Sequence, residues 1–243
     1  MKALISGSFL PVGLVMLGVI GFVSTASATT YTEIDISSYV NGEVTNNPET
    51  FPIGTTTGNQ GTGIPFDIAS QDGVAQNWNP ANGGPSTLTV NLASYNISGQ
   101  ASFYALLNNY YGTAGADEYD ITVTASNGDS ETFQSIGGVD TRDYNNNMVN
   151  TIANTTSPWY DNGIGQRLDV REFSLDTQLQ ADTLASFTIT SVITNDSPVF
   201  SGLTFSTDVA ENLQDPTAVP EPSSLPVLGF GLAFLAGLRR SRA

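Results

Sequence analysis

Tyr119-Asp120-Ile121-Thr122-Val123-Thr124-Ala125 is followed at once by Ser126-Asn127-Gly128, and Thr132-Phe133 begins a return. The alternation puts Tyr119, Ile121, Val123 and Ala125 on one face, the mark of a half-buried strand. Asn-Gly is the residue pair that a tight hairpin turn selects. Thr87–Leu92 repeats the pattern, with Leu88, Val90 and Leu92 on one side. Further strands are expected at Tyr31–Tyr39, Ile64–Ile68, Ser102–Leu107, Arg167–Leu175, Ala185–Thr194 and Gly202–Ser206. Such short strands separated by turn chemistry predict an all-β body, an antiparallel β-sandwich of jelly-roll-like form. Asn145–Asn154, with Met148 and Ile152 four apart, is the only helical expectation in the body. The longest expected loops are Gly42–Gly63 and Gly137–Gly163.

Charge narrows the chemistry. The 243 residues carry 7 basic and 23 acidic side chains, for a formal charge of -16, with no histidine and no cysteine. Between Thr29 and Val219 only Arg142, Arg167 and Arg171 face 22 acids, a formal charge of -19. A body this acidic is repelled by phosphate backbones, which excludes nucleic acid as a partner. Without His or Cys there is no Ser-His-Asp triad, thiolate nucleophile or His/Cys-ligated zinc. Without lysine in the body there is no Schiff-base chemistry. Carboxylate chemistry is what is left, and disulfides are absent from a body large enough to stand without them.

The two ends read as addresses. In residues 1–28, Lys2 precedes an apolar stretch from Leu10 to Val23, and Ala26-Ser27-Ala28 offers a small-residue cut before Thr29. That is the order of a secretory signal peptide, with signal peptidase as partner. At the other end Val219-Pro220-Glu221-Pro222 leads into an apolar run, Leu225–Leu238, closed by Arg239-Arg240-Ser241-Arg242. Fourteen helical residues cover about 21 Å, less than the hydrocarbon core of about 30 Å. The terminal arginines favour a cytoplasmic end, leaving the body on the far side. The implied order is signal peptide (1–28), β-sandwich (29–211), Pro-rich linker with Pro-Glu-Pro (212–224), then hydrophobic helix and basic tail (225–243).

Motif, apolar run and arginines together resemble the PEP-CTERM sorting signal of Gram-negative bacteria that make extracellular polysaccharide. The resemblance covers Val219 to Ala243. It implies an exosortase, a membrane-embedded transpeptidase-like enzyme, cutting at or near Pro220-Glu221-Pro222. It also implies a precursor held in the inner membrane by its C-terminal helix and a product at the cell surface or outside. The body resembles, more diffusely, the extracellular lectin-like modules often fused to this signal. Gly63-Ile64-Pro65-Phe66-Asp67-Ile68, Tyr104-Ala105-Leu106-Leu107-Asn108 and Arg142-Asp143-Tyr144 carry that likeness.

Three clusters are candidate sites. In Gly137–Asn145 an arginine lies between two acids, so Arg142 is expected to fork onto a carboxylate such as Asp67 or Asp120. Asp140 and Asp143 are the candidate metal ligands there, for Ca²⁺, since hard cations take oxygen donors. No EF-hand spacing is present, and apart from that ion no cofactor is expected. In Gln166–Phe173 alternation puts Arg167, Asp169 and Arg171 on one face, read as an exposed salt-linked strand or a row for acidic sugar. Trp78, Tyr110, Tyr111, Tyr144, Trp159 and Tyr160 sit among Asn and Gly in or beside expected loops. Such rings could hold sugar faces or could cap the core.

The expected function is that of a non-enzymatic, exported, C-terminally processed surface or matrix protein, structural or carbohydrate-interacting, with extracellular polysaccharide as its partner. The alternative is a secreted carboxylate-dependent glycoside hydrolase. Its paired acids would be Asp117-Glu118 or Asp140 and Asp143.

Overall fold

A computed structural model describes residues 29–44, 50–145, 151–153, 156–192 and 197–207. The signal peptide, the linker and the sorting tail lie outside these residues, as do 146–150 and 154 of the expected helix. In chain order the strands are β1 (Tyr31–Ile34), β2 (Gly42–Glu43), β3 (Gly54–Thr56), β4 (Phe66–Ile68), β5 (Ser70–Gln71), β6 (Val74–Asn77) and β7 (Thr87–Asn91). They continue with β8 (Ser102–Tyr110), β9 (Asp117–Ala125), β10 (Ser130–Ile136), β11 (Thr156–Asp161), β12 (Arg167–Ser174), β13 (Leu184–Ser191) and β14 (Ser197–Ser206). Among the described residues one short α-helix, α1 (Thr177–Ala181), precedes β13, its first amides capped by the Asp176 carboxylate at 2.9 Å.

Two antiparallel sheets form the sandwich, β1-β14-β8-β12-β11 and β10-β9-β13-β7. The all-β sandwich expected from the alternation is the observed class. The β9–β10 hairpin turns at Asn127-Gly128, where Gly128 takes φ 97° and its amide bonds the Ala125 carbonyl at 3.0 Å. Between the sheets lie Leu88, Val90, Ile121, Val123, Phe187 and Ile189 from one side and Phe103, Phe173, Leu203 and Phe205 from the other. Phe103 is the hub, stacked on Phe173 at 4.5 Å and edge-on to Phe133 at 5.5 Å and Phe187 at 5.8 Å.

A third layer explains why β8 and β12 are buried on both faces. Val44 and residues 50–75 cover the back of the five-stranded sheet, where Val44, Phe51, Ile64, Phe66, Ile68 and Ala75 pack on Tyr104, Leu106, Trp159, Leu168 and Val170. The expected long loop 42–63 therefore contains β2 and β3, and the stretch 137–163 contains all of β11.

The first and last described residues of the body lie together. Tyr31 pairs with Ser206, and the Thr207 amide bonds the Thr30 carbonyl at 3.3 Å. Ser206 in turn pairs with Ser102, the start of β8, whose other end, Tyr110, lies against Ser197. The sandwich thus has an exit end, where the described body begins and stops, and an opposite tip, where β8, β10, β11 and β13 end.

Candidate functional site

At the tip the sheet opens to admit a wedge. Regular pairing of β12 with β8 reaches Val170–Leu106. Beyond it the Asn108 side chain replaces the ladder, its Oδ1 accepting from the Asp169 amide at 2.9 Å and its Nδ2 donating to Asp169 Oδ2 at 2.7 Å. Residues 142–144 enter between the two strands. The Asn109 amide bonds the Arg142 carbonyl (3.0 Å), the Tyr144 amide the Asn109 carbonyl (3.2 Å), and the Arg167 amide the Tyr144 carbonyl (3.1 Å).

The wedge brings the two charged clusters together. Arg142 forks onto Asp169, Nε and Nη2 each at 2.7 Å, not onto Asp67 or Asp120. Arg167 Nε lies 3.4 Å from Asp169 Oδ2, and its Nη2 donates to the Asp143 carbonyl at 2.7 Å. Arg171 lies over the Phe173 ring at 4.3 Å, reaches Asp140 at 3.4 Å, and donates to Ser135 and to the Gln134 carbonyl of β10 in the other sheet. Arg167, Asp169 and Arg171 do share a face, but that face is inside the sandwich. All three are buried, which corrects the exposed strand expected from their charges. Burial pulls the guanidinium pKa of Arg167 and Arg171 below the ordinary arginine range, while Asp169 beside the first, and Tyr119 and Asp140 beside the second, act the other way.

The candidate metal ligands are spent on the backbone. Asp140 Oδ2 accepts from the Ile136 amide at 2.9 Å, and Asp143 accepts from the Tyr111 amide at 3.1 Å and the Asn145 amide at 2.7 Å. Among the described residues no group of three or more acidic side chains is placed to hold a metal ion. Of the other acid pair, Glu118 is wholly buried and accepts from the Thr113 amide at 2.6 Å, while Asp117 is half-buried and accepts from Gln134 at 2.9 Å.

The six aromatic candidates separate. Trp78, Tyr144 and Trp159 are buried, so these three rings do not present a face to a ligand. Trp159 instead donates Nε1–H to the Ile64 carbonyl at 2.9 Å and meets Phe66 edge-on at 5.4 Å. Tyr160 is half-buried against Phe51, its hydroxyl donating to the Thr50 carbonyl. Tyr110 and Tyr111 are the pair left at the surface of the tip. Tyr111 is 53 % exposed and takes φ 62°. The left-handed region costs a non-glycine residue about 1–2 kcal/mol, and here the Asp143 carboxylate holds the Tyr111 amide in place. The ring stands edge-on to Tyr110 at 4.8 Å, which leans on buried Tyr144 at 5.2 Å. Exposed Val139, Ile164 and Val192 occupy the neighbouring tip loops. Sequence alone could not separate these six rings. The available signal was the proximity of Arg142-Asp143-Tyr144, which the fold uses as the wedge.

Exposed Tyr111 and half-buried Tyr110 thus stand on a buried, ion-paired footing. Residues 218–241 match the PEP-CTERM protein-sorting motif. The chain therefore carries the C-terminal signal of an exported protein sorted by exosortase. No curated protein and no solved structure matches the chain. No helix among the described residues is long and apolar enough to cross a membrane.

Proposed function

We propose that the PEP-CTERM signal delivers this β-sandwich to the cell surface or extracellular matrix, where it is a non-enzymatic, carbohydrate-interacting, lectin-like component of the polymer layer. Tyr111 is the observation that carries the binding role. A bulky residue held at positive φ with its ring in solvent is backbone strain kept at a surface position, which is where functional strain collects. A tyrosine offers a pyranose both an apolar face and a polar handle, and a ring already fixed in place loses little freedom on binding. The footing beneath it uses Glu118, Asp140 and Asp143 as acceptors for backbone amides, an arrangement that suits support better than hydrolysis. The described body begins and stops at the opposite end, so a tether attached at Thr207 starts far from the tip.

Replacing Tyr111 by glycine removes the ring and relieves the strain together. Retention on a neutral polysaccharide gel should fall at least about tenfold, the scale of a hot-spot truncation, while the thermal midpoint is unchanged or higher. Native retention by the glycine variant would refute the tip as the contact.

A further inference from the structure

The side of the four-stranded sheet that faces away from the core is a register-locked lattice of short polar side chains. Pairing sets three rows across β10, β9, β13 and β7: Ser130-Thr124-Ser186-Asn91, Thr132-Thr122-Thr188-Thr89 and Gln134-Asp120-Thr190-Thr87. All twelve are exposed or half-exposed. Strands about 4.8 Å apart, with a same-face repeat of about 6.8 Å, make the lattice about 14 Å on each side. Hydroxyl pairs bond across strands at Thr87–Thr190 (3.2 Å), Thr89–Thr188 (3.1 Å) and Thr122–Thr132 (2.8 Å). These bonds fix the rotamers, so the array is preorganised.

We infer that this lattice is a second, extended contact surface, and that its occupant is an uncharged polyhydroxylated polymer lying along the sheet. The class of ligand rests on the carbohydrate reading of the tip, and charge selects within it. An anionic polymer needs exposed cations, yet Arg142, Arg167 and Arg171 keep only 14 %, 8 % and 9 % of their side chains exposed and are all paired inside. A polycation needs a set of carboxylates, and the lattice has only Asp120. A second copy would bring another body of formal charge -19 to a face without Trp, Tyr or Arg, the residues that anchor protein interfaces. Hydroxyls and amides that both donate and accept suit a neutral glycan, and short side chains let it approach the sheet closely. The row Gln134-Asp120-Thr190-Thr87 lies at the tip end, so a chain gripped at Tyr111 gains further weak contacts along the lattice by avidity.

The test is affinity electrophoresis of the mature body through gels containing dextran, hydroxyethylcellulose, galactomannan or alginate, with sedimentation of each variant. The native protein should be retarded by at least one neutral polymer, with little dependence on salt, and not by alginate. Thr188→Glu puts an unpaired charge at the lattice centre, which the neutral chain would have to desolvate. It should weaken retardation at least about tenfold with an unchanged thermal midpoint, while Thr188→Ser retains it. Native retardation of Thr188→Glu alongside loss in Tyr111→Gly would overturn the lattice and leave the tip standing. Loss in neither variant, or no retardation by any neutral polymer, would overturn both. Retardation by alginate at low salt would overturn the uncharged class. A native oligomer that Thr188→Glu splits into monomers would assign the face to a second copy instead.

Discussion

Asp169→Ala should abolish folding of the body or lower its stability by about 3–5 kcal/mol, the cost of removing one partner from a buried ion pair. Asp169 is wholly buried and takes both nitrogens of the Arg142 fork, approaches Arg167, and accepts from Asn108. Its loss leaves two guanidinium groups inside the sandwich with no carboxylate between them. The wedge at 142–144 then loses its Arg142 fork and keeps its three backbone bonds and the bond from Arg167 to the Asp143 carbonyl, and Tyr111 is less firmly supported because Asp143 is part of the same segment. Urea denaturation of the purified body checks this. Asp169→Asn keeps a hydrogen-bonding side chain of the same shape and should fall between native and alanine. An alanine variant with a native midpoint would mean that the cations are satisfied elsewhere.

Trp159→Ala should lower stability by a similar amount, about 3–5 kcal/mol for a fully buried large aromatic. Trp159 sits where the third layer meets the five-stranded sheet. Besides its bond to Ile64 and its edge contact with Phe66, its carbonyl accepts from the Asn59 and Gln60 amides at 3.1 and 3.3 Å. Gly58 lies against it with φ 70°, and a Cβ at that position would meet the indole carbon Cδ2 at 2.8 Å. Removing the indole opens a cavity and breaks the bond to the Ile64 carbonyl, which loosens residues 58–64 although the backbone carbonyl at 159 still accepts from Asn59 and Gln60. The loss should register in the denaturation midpoint and as faster amide exchange over residues 58–68. A stable Trp159→Ala variant that fails only in polysaccharide retention would return this residue to the binding surface.

Much of the sandwich was legible because it is written in period two. Leu88-x-Val90 and Tyr119-x-Ile121-x-Val123 have one buried and one open face, and Asn127-Gly128 marks the turn without ambiguity. Strands β2, β3 and β5 have two or three residues each, too few to show alternation, and α1 is little more than one capped turn. β12 was legible in phase but not in exposure. Arg167, Asp169 and Arg171 were rightly placed on one face, yet a charged row looks solvated until its partners are known. Arg142 comes from a segment 27 residues upstream that inserts between strands. The aromatics failed for a related reason. Glycine and asparagine around Trp159 and Trp78 look like open loop, whereas Gly58 is there because the chain must pass close over an indole.

On the proposed route this β-sandwich is exported and then cut from its own C-terminal signal. The most direct test is the intact mass of the protein recovered from the surface or medium of the cells that make it. The expected species begins at Thr29 and ends near Pro220. A mature species that still carries Leu225–Arg242 would contradict it and make that segment an ordinary membrane anchor.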